Sequence, residues 1–449
     1  MKSLEFYQST ITNLKQLPMS AGHIDVLFSA RDFKAKILDL IASSSKRIYL
    51  STLYLQDDDA GKEILNALYL ARVNNPGLVI KVFVDFHRAQ RGLIGQKDHG
   101  GNAELYREMR QRLGDKVTIL GVPVKGKEVL GVLHLKGFIF DDNVLYSGAS
   151  INDIYLHQAD KYRCDRYHVL YNPALADSMT AYLEDYFVSQ SAVTRLDDDV
   201  IPSSKALKQD IRQFKKTLRS AQYHYINTTP ESNEVGITPI SGFGRHGNKL
   251  NQTITNLLRA VESEITIFTP YFNLPLSISK DIKRLLKRNV KVTLVIGDKT
   301  ANDFFIPPEE PFKVISALPY IYETYLYKFV KTCQPYIDKG LLNVRLWTDE
   351  GNSFHLKGLC CDYKYHLLTG NNLNPRAWGL DLENGILIHD TKQLLKDTLQ
   401  AEQEHVLKNT RRIKHLSDLE SMADYPAPVQ KFMRRIKTTR LDMLLKRIL

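Results

Sequence analysis

Two short motifs of one type could do chemistry in this chain. The segments VLHLKGFIFDD and SFHLKGLCCDY share the spacing H-x-K-x4-D, with His134 and Lys136 in the first and His355 and Lys357 in the second. Two copies that share the letters HLKG are poorly explained by coincidence. Displacement at a phosphodiester needs a nucleophile, cancellation of charge on the phosphate oxygens, and an acid for the leaving group. A neutral imidazole, lysine ammonium groups and a second, protonated imidazole meet these needs.

The spacing within each motif predicts which side chains share a face. In a strand, residues two apart point the same way, so His and Lys are expected on one face and Leu135 and Leu356 toward the core. Asp141 and Asp362 follow at the ends of these strands. Both are candidate catalytic residues as members of the motif, although at a strand end we expect each to hold local structure rather than to touch substrate.

Each motif is followed by a turn of small residues and then by an acid. The turns are GASIN, residues 148–152, and GNNLN, residues 370–374, and the acids are Asp165 and Glu383 on the next predicted strands. A carboxylate at this place could accept a hydrogen bond from a ring nitrogen of the histidine, which would fix its tautomer and raise its basicity. A solvated acid at a strand end is the alternative interpretation.

Polar residues beyond predicted strand ends are further candidates, because such residues commonly line the cleft of an α/β fold. One cluster runs from Asp85 to Arg91, and the other from Asp298 to Asp303. Asparagines of the two turns would share the non-bridging phosphate oxygens with the lysines. Ordinary loop structure is an equally good interpretation of the two clusters. The predicted substrate-binding residues are Ser150, Asn152, Asn372, Asn374, Arg376, His87, Arg88 and Arg91.

The elements that must position these side chains repeat along the chain. KRIYLSTLYLQ, GKEILNALYLARVNN and VIKVFVDF predict a strand, a helix and a strand, and SEITIFTPYFN, ISKDIKRLLKRN and VKVTLVIGD predict the same order later. Such units form parallel pairs with helices outside the sheet. We predict an α/β fold of two pseudo-symmetric lobes, each a mixed β-sheet flanked by helices. The expected lobes are residues 1–205 and 249–410, with a linker at 206–248 and a helical tail at 411–449.

Composition limits the partners. The chain has 449 residues with 61 Lys and Arg against 50 Asp and Glu, a formal net charge of +11, which favours nucleic acid, anionic membrane or phosphorylated substrates. Its four cysteines lack CxxC spacing, so neither a zinc site nor a disulfide framework is suggested, and a reducing cytoplasm fits best. With no signal peptide and no run of about 18 apolar residues, membrane contact is expected to be peripheral. Acidic residues show no metal-ligand spacing, and no metal or other cofactor is predicted.

The last 21 residues predict a basic amphipathic helix. VQKFMRRIKTTRLDMLLKRIL has seven Lys or Arg against one Asp. This pattern usually indicates a membrane surface or a partner groove, and packing of the helix on its own lobe is the alternative. The apolar positions at helical spacing are Val429, Phe432, Met433 and Ile436, continued by Leu441, Leu444, Leu445 and Ile448.

At the paired motifs the sequence resembles the phospholipase D superfamily, whose signature is two such motifs followed by Gly, Ser and Asn turns. Longer segments, VDFHRAQRG, LGVLHLKGFIFDDNVLYSGASINDIYLHQ, GDKTANDF and LLTGNNLNPRAWGLDLEN, are similar to the bacterial CDP-diacylglycerol–serine O-phosphatidyltransferase family. The GASIN turn sets its Asn one residue later than the usual G-S-x-N. Either Ser150 or Asn152 could therefore contact phosphate.

The resemblance implies synthesis of phosphatidylserine from CDP-diacylglycerol and L-serine, with release of CMP. It implies His134 as the nucleophile that forms a phosphatidyl-histidine, and His355 as the general acid that later deprotonates serine, although the two roles could be reversed. It also implies a cytoplasmic enzyme that docks peripherally on the inner face of an anionic membrane. The same catalytic pair serves phospholipases D, cardiolipin synthases and nucleases, which remain alternatives, but we expect no nucleic acid partner.

Overall fold

The structure is a computed structural model that describes residues 2–91 and 101–438. The strands of these residues are β1 Leu17–Ser20, β2 Ile24–Leu27, β3 Arg47–Ser51, β4 Val79–Asp85, β5 Thr118–Val122, β6 Leu133–His134, β7 Phe138–Phe140, β8 Asn143–Ser147, β9 Arg163–Cys164, β10 Tyr167–Tyr171, β11 Thr194–Arg195, β12 Glu234–Phe243, β13 Glu264–Thr269, β14 Lys291–Gly297, β15 Leu342–Trp347, β16 Ser353–Phe354, β17 Gly358–Cys361, β18 Tyr365–Thr369, β19 Leu382–His389 and β20 Thr410–Ile413. The α-helices are α1 Leu4–Thr12, α2 Ala30–Ser43, α3 Asp59–Asn74, α4 Phe86–Ala89, α5 Asn102–Leu113, α6 Pro173–Leu183, α7 Lys208–Ser220, α8 Lys249–Ala260, α9 Leu276–Lys287, α10 Leu318–Asp338, α11 Pro375–Gly379, α12 Lys396–Lys408 and α13 Ala427–Thr438.

Two mixed sheets repeat one strand order. The first contains β5-β4-β3-β7-β8-β10 and the second β15-β14-β13-β17-β18-β19. In both, the first three strands pair in parallel, and the remaining pairs are antiparallel. The predicted repeat and the mixed sheet of each lobe are therefore confirmed.

The helices between parallel strands form because their apolar residues recur at helical spacing. In α3, the Asp58 side chain accepts a hydrogen bond from Gly61 N at the start of the helix, and Ile64 and Leu68 are fully buried. Helix α9 buries Ile282 and its apolar neighbours in the same way. These faces cover the sheets and build the two large apolar cores of the protein.

The lobes exchange short strands at their contact. β6 of the first lobe pairs in parallel with β19 of the second, which sets His134 opposite Glu383. β16 of the second lobe pairs in parallel with β9 of the first, which sets Phe354 opposite Cys164. The backbone before each motif is therefore held by the other lobe.

The predicted linker at 206–248 is not an open connection. It contains α7 and the ten-residue strand β12, which pairs with β19 and β1. Its Pro and Gly content suggested a loop. Pro239, however, lies beyond the residues of β12 that pair with β1, so the N–H group that proline lacks is not needed for the pairing of β12 with β1. Because β1 joins the second sheet, part of the predicted first lobe lies on the second. Residue numbers for the lobe boundaries stay a prediction.

The tail begins differently from its prediction. Its first residues form β20, which pairs with β15, and α13 follows. Val429 and Ile436 of α13 are buried, and Val429 packs with Tyr320 and Tyr425. Packing on the second lobe thus applies to the described part of the helix. Leu441, Leu444, Leu445 and Ile448 lie outside the described residues. Within residues 2–91 and 101–438, the helices are all too short or too polar to cross a membrane.

Candidate active site

The first histidine is held from both sides. Leu133 N donates to the buried Asp85 carboxylate at 2.9 Å, which fixes β6. The ring Nδ1 of His134 lies 2.9 Å from each carboxylate oxygen of Glu383. When Glu383 is ionised its carboxylate only accepts hydrogen bonds, and in that state Nδ1 carries the proton and the lone pair is on Nε2. This is the form of imidazole that can act as a nucleophile.

The second histidine has an equivalent arrangement with two additional contacts. His355 N donates to Cys164 O at 2.8 Å, and Nδ1 lies 3.1 Å from Asp165 Oδ2. The Tyr155 hydroxyl lies 2.9 Å from the same Nδ1, and the Lys357 ammonium group also contacts it. His355 therefore has a more polar surrounding than His134.

Each acid serves the histidine of the other lobe. The acids stand on the strand after their own motif, as predicted, but Asp165 reaches His355 and Glu383 reaches His134. The sequence pattern does not indicate which of the two histidines each acid contacts. The strand exchange determines the partner, because β6 lies beside β19 and the backbone of His355 bonds to β9.

Each glycine turn also contacts the motif of the other lobe, which brings the two motifs into one site. A Cβ on Gly148 would lie 2.8 Å from Lys357 Nζ, and a Cβ on Gly370 would lie 2.8 Å from Lys136 Cγ. Each turn thus lies against the lysine of the other lobe, at a distance that only glycine allows. After burial and the two lysine charges, a charge on His355 is a further cause that lowers the pKa of His134, so the two imidazoles interact electrostatically.

The site disfavours positive charge until an anion enters. Burial and the lysine charges lower the pKa of His134 and His355 well below its usual value. Burial and Lys357 lower the pKa of Lys136 to about 7, and burial lowers that of Lys357 to about 8. Burial also raises the pKa of Glu383, an effect that the two lysines oppose. An anionic phosphoryl group between the lysines would favour their charged forms.

The motif aspartates lie away from these groups. Asp141 accepts hydrogen bonds from Ser45 N and Oγ, Lys46 N and Arg47 N at 2.7–3.0 Å. Asp362 accepts the equivalent four from residues 262–264. This geometry fits the structural role expected of both aspartates: each carboxylate ties its motif to the start of the neighbouring strand, because a carboxylate at a strand end can satisfy otherwise unpaired N–H groups.

The turn residues combine structural and binding roles. Lys136 Nζ donates to Ser150 Oγ at 3.3 Å. Asn152 Oδ1 accepts from Tyr155 N, and Asn374 Oδ1 accepts from Ala377 N at the start of α11. Both asparagines keep an NH2 group that can donate to phosphate. Asn372 is half-buried, and its backbone carbonyl accepts from Thr269 Oγ1.

The residues after β4 are tied to protein groups. His87 Nε2 lies 2.7 Å from Lys125 O, and the Arg88 guanidinium lies 4.7 Å from the Tyr54 ring centroid. Arg91 forms a two-bond ion pair with Glu128.

Arg376 is held by an acid and a backbone carbonyl. It donates to Asp381 at 3.2 Å and to Glu128 O at 2.9 Å, and its charge contributes to the lowered pKa of His134. In the cluster from Asp298 to Asp303, Lys299 forms an ion pair with Glu323.

Sequence reasoning missed three residues. Asn384 accepts from Lys136 N and donates to Lys136 O, both at 2.8 Å, so it fixes the lysine backbone. Tyr155 and Arg163 stand beside His355, with the Arg163 guanidinium 4.4 Å from the Tyr155 ring centroid. Adjacency to Glu383 and to the GASIN turn was the one available signal for Asn384 and Tyr155.

Comparison with known proteins decides the family. Residues 254–406 match the family model described as cardiolipin synthase, PLD-like domain. The chain is 47% identical to the CDP-diacylglycerol–serine O-phosphatidyltransferase of Escherichia coli strain K12, over 99% of the chain and 98% of that protein. The chain belongs to the CDP-diacylglycerol–serine O-phosphatidyltransferase family. Identity to the family member of Haemophilus influenzae is 45%, over 98% of each protein.

The fold agrees with this family over its full length. The crystal structure of phosphatidylserine synthase from Haemophilus influenzae covers 100% of both chains with a TM-score of 0.96 and 43% identity. The chain is thus a transferase of the phospholipase D superfamily that acts in phospholipid biosynthesis, and the predicted family is confirmed. Among the described residues, His, Cys, Asp and Glu side chains form no group of three suited to a metal ion.

Proposed function

We propose that this chain transfers the phosphatidyl group of CDP-diacylglycerol to L-serine, producing phosphatidylserine and CMP, through a covalent intermediate on His134. The observation that carries the proposal is the pair of histidines, each bonded to an acid of the other lobe, around two buried lysines. Family membership supplies the substrates, since relatives at 45–47% identity carry this name over nearly their whole length.

In the first step, His134 Nε2 attacks phosphorus while Glu383 holds Nδ1–H. A P–N bond forms, and the bond to the CMP oxygen breaks with a proton from His355, whose charged form is favoured once the anionic substrate is bound. Lys136 and Lys357 balance the charge that develops on the non-bridging oxygens. Assignment of His134 as nucleophile is supported by its simple carboxylate partner, since a second donor such as Tyr155 would compete for Nδ1.

In the second step, the serine Oγ attacks phosphorus opposite the P–N bond. His355, which gave up its proton to CMP, takes the proton of the serine hydroxyl. The P–N bond breaks and His134 returns to its starting form. Both steps use the same two histidines with their acid and base roles exchanged.

The test supplies CDP-diacylglycerol with labelled serine, and then with water alone, and identifies the lipid made. We expect labelled phosphatidylserine from the wild type, and a loss of at least 1,000-fold in His134→Ala and His355→Ala. His366→Ala is the matched control, because His366 is also a buried histidine, in the second lobe. Full activity in either site variant, or exclusive formation of phosphatidate with serine present, would refute the proposal.

We further propose that the enzyme acts at the cytoplasmic face of an anionic membrane and docks through α13. The apolar face of this helix is packed, so docking depends on its exposed basic residues, Lys431, Arg434, Arg435 and Lys437. Each basic residue near an anionic leaflet contributes about 1 kcal/mol, so these four set a limit of about 4 kcal/mol.

Charge reversal tests the docking proposal. Lys431→Glu with Arg434→Glu should reduce sedimentation with anionic vesicles at least tenfold, while turnover in detergent micelles stays within twofold. Lys208→Glu with Arg212→Glu on α7 is the matched control, since both residues are exposed. Equal losses from the two helices, or an equal loss in micelles, would contradict docking through α13.

A further inference from the structure

An ion pair stands beside His355. Arg163 NH2 lies 2.7 Å from Asp303 Oδ1, and the guanidinium also covers the ring of Tyr155, whose hydroxyl lies 2.9 Å from His355 Nδ1. Charges of both ion-pair members act on the pKa of His355, in opposite directions. The two side chains are 12% and 18% accessible, so a small ligand can reach them.

The pair has a counterpart of reversed sign at His134. Arg163 stands two residues before Asp165, and Asp381 stands two residues before Glu383. Asp381 pairs with Arg376. The quasi-twofold arrangement thus sets one Arg–Asp pair near each histidine, with the basic and acidic positions exchanged.

The two pairs differ in how they are held. Asp381 accepts from Val132 N at 3.0 Å, which commits one of its oxygens to the backbone of the exchanged strand. Around the other pair the partners are side chains: Arg163 Nε donates to Ser353 Oγ, and Tyr271 OH donates to Asp303 Oδ2 at 3.2 Å. A carboxylate has about four acceptor positions and a guanidinium five donors, so this second pair can bind further groups without separating.

The chemistry decides which side the acceptor occupies. Attack in line with the breaking P–N bond must come from the face opposite His134, which is the face of His355. The acceptor alcohol belongs to an amino acid, which carries an ammonium and a carboxylate group. A site for the CMP phosphate alone would be weakened by the Asp303 carboxylate, whereas an ammonium group requires such an acceptor.

We propose that Asp303 and Arg163 form the acceptor subsite, in which Asp303 binds the ammonium group and Arg163 the carboxylate of L-serine, so that serine Oγ lies beside His355. The subsite depends on the proposed transfer to serine. It acts in the second step: serine Oγ–H gives its proton to His355, the P–O bond forms, and the P–N bond to His134 breaks.

The test is the effect of Asp303→Asn on acceptor use. We expect the KM for L-serine to rise about 10- to 100-fold, as for loss of a charged hydrogen bond, while the KM for CDP-diacylglycerol stays within twofold. Preference for L-serine over 3-hydroxypropionate, which lacks the ammonium group, should fall at least tenfold. Asp281→Asn is the matched control, because Asp281 is a buried aspartate paired with Arg259 away from the histidines, and it should retain the wild-type KM for serine.

A second measurement needs no variant. In the wild type, ethanolamine and 3-hydroxypropionate should each show a KM at least tenfold above that of L-serine. An Asp303→Asn variant with wild-type serine KM, a control with the same rise, or equal KM values for serine and ethanolamine would overturn the subsite. If the wild type makes no phosphatidylserine at all, the proposed function itself is wrong, which is a distinct result.

Discussion

Replacing Glu383 by Gln tests the crossed hydrogen bond between the lobes. The change keeps the shape of the side chain but removes the carboxylate charge. Both carboxylate oxygens of Glu383 lie 2.9 Å from His134 Nδ1. The imidazole becomes less basic, and its tautomer is no longer fixed, because a Gln amide can present either its oxygen or its NH2 group to Nδ1.

The expected fall in kcat depends on whether the variant loses only the charge or also the tautomer of His134. A hydrogen bond to a charged group contributes about 1.5–3 kcal/mol, and each 1.36 kcal/mol is a factor of ten in rate, so loss of charge alone predicts a fall in kcat of roughly 10- to 150-fold. If the amide presents its NH2 group, the lone pair moves from Nε2 to Nδ1. The loss then approaches about 10,000-fold, the size found for a wrong tautomer in a catalytic triad.

The assay is transfer of labelled serine to CDP-diacylglycerol in detergent micelles, at saturating serine. Glu323→Gln is the matched control, since Glu323 is a buried glutamate of the same lobe that bonds to Lys299. We expect the control to retain kcat within threefold. Glu383→Gln with kcat within threefold of the wild type, or a control with an equal loss, would refute the role of the crossed acid.

Three further predictions follow from the hydrogen bonds and buried charges. Asp362→Asn should reduce the free energy of unfolding by about 1–3 kcal/mol in denaturant titration, with kcat per folded molecule within threefold; a tenfold loss of kcat would count against a structural role. Since burial lowers the pKa of Lys136 to about 7 and that of Lys357 to about 8, the site loses positive charge as pH rises through this range. A profile of kcat/KM for CDP-diacylglycerol between pH 6 and 9 should therefore fall above about pH 8, and a flat profile would contradict this. Burial lowers the pKa of His389 to about 4, against about 6.5 in the unfolded chain. Between these two pH values the unfolded state binds more protons than the folded state, so the free energy of unfolding decreases as the pH falls below 6.5. Between pH 6.5 and 5 this amounts to about 2 kcal/mol, and His389→Gln should show an acid loss smaller by that amount in denaturant titrations at the two pH values.

The histidines and lysines of the candidate site could be predicted because their types and spacing repeat. HLKG occurs twice. The glycine of each copy is required by the backbone, because Gly137 and Gly358 adopt φ values of +120° and +142° that disfavour other residues. The acids after each motif were also found from their position. Which histidine each acid serves could not be predicted, because β6 and β16 are only two residues long and their pairing with the other lobe leaves no pattern in the sequence.

Strand β12 could not be predicted either, because the sequence does not show long-range strand pairing. β12 carries Pro and Gly residues that predict a loop, and its pairing with β19 is a long-range contact. Arg163 could not be predicted from the repeat, because its symmetric counterpart is Asp381 and the two halves differ in charge at this position. This exchange of charge is one of the differences between the surroundings of the two histidines.

The location of the covalent lipid tests the central claim most directly. Wild-type protein is mixed with CDP-diacylglycerol labelled in the phosphatidyl group, without serine, quenched within the first turnover and digested for peptide mapping. The label should be found on the peptide that contains His134, and it should be lost when serine is added before the quench. Label on the peptide that contains His355, or release of CMP with no labelled peptide at any time, would contradict a phosphatidyl-histidine at His134.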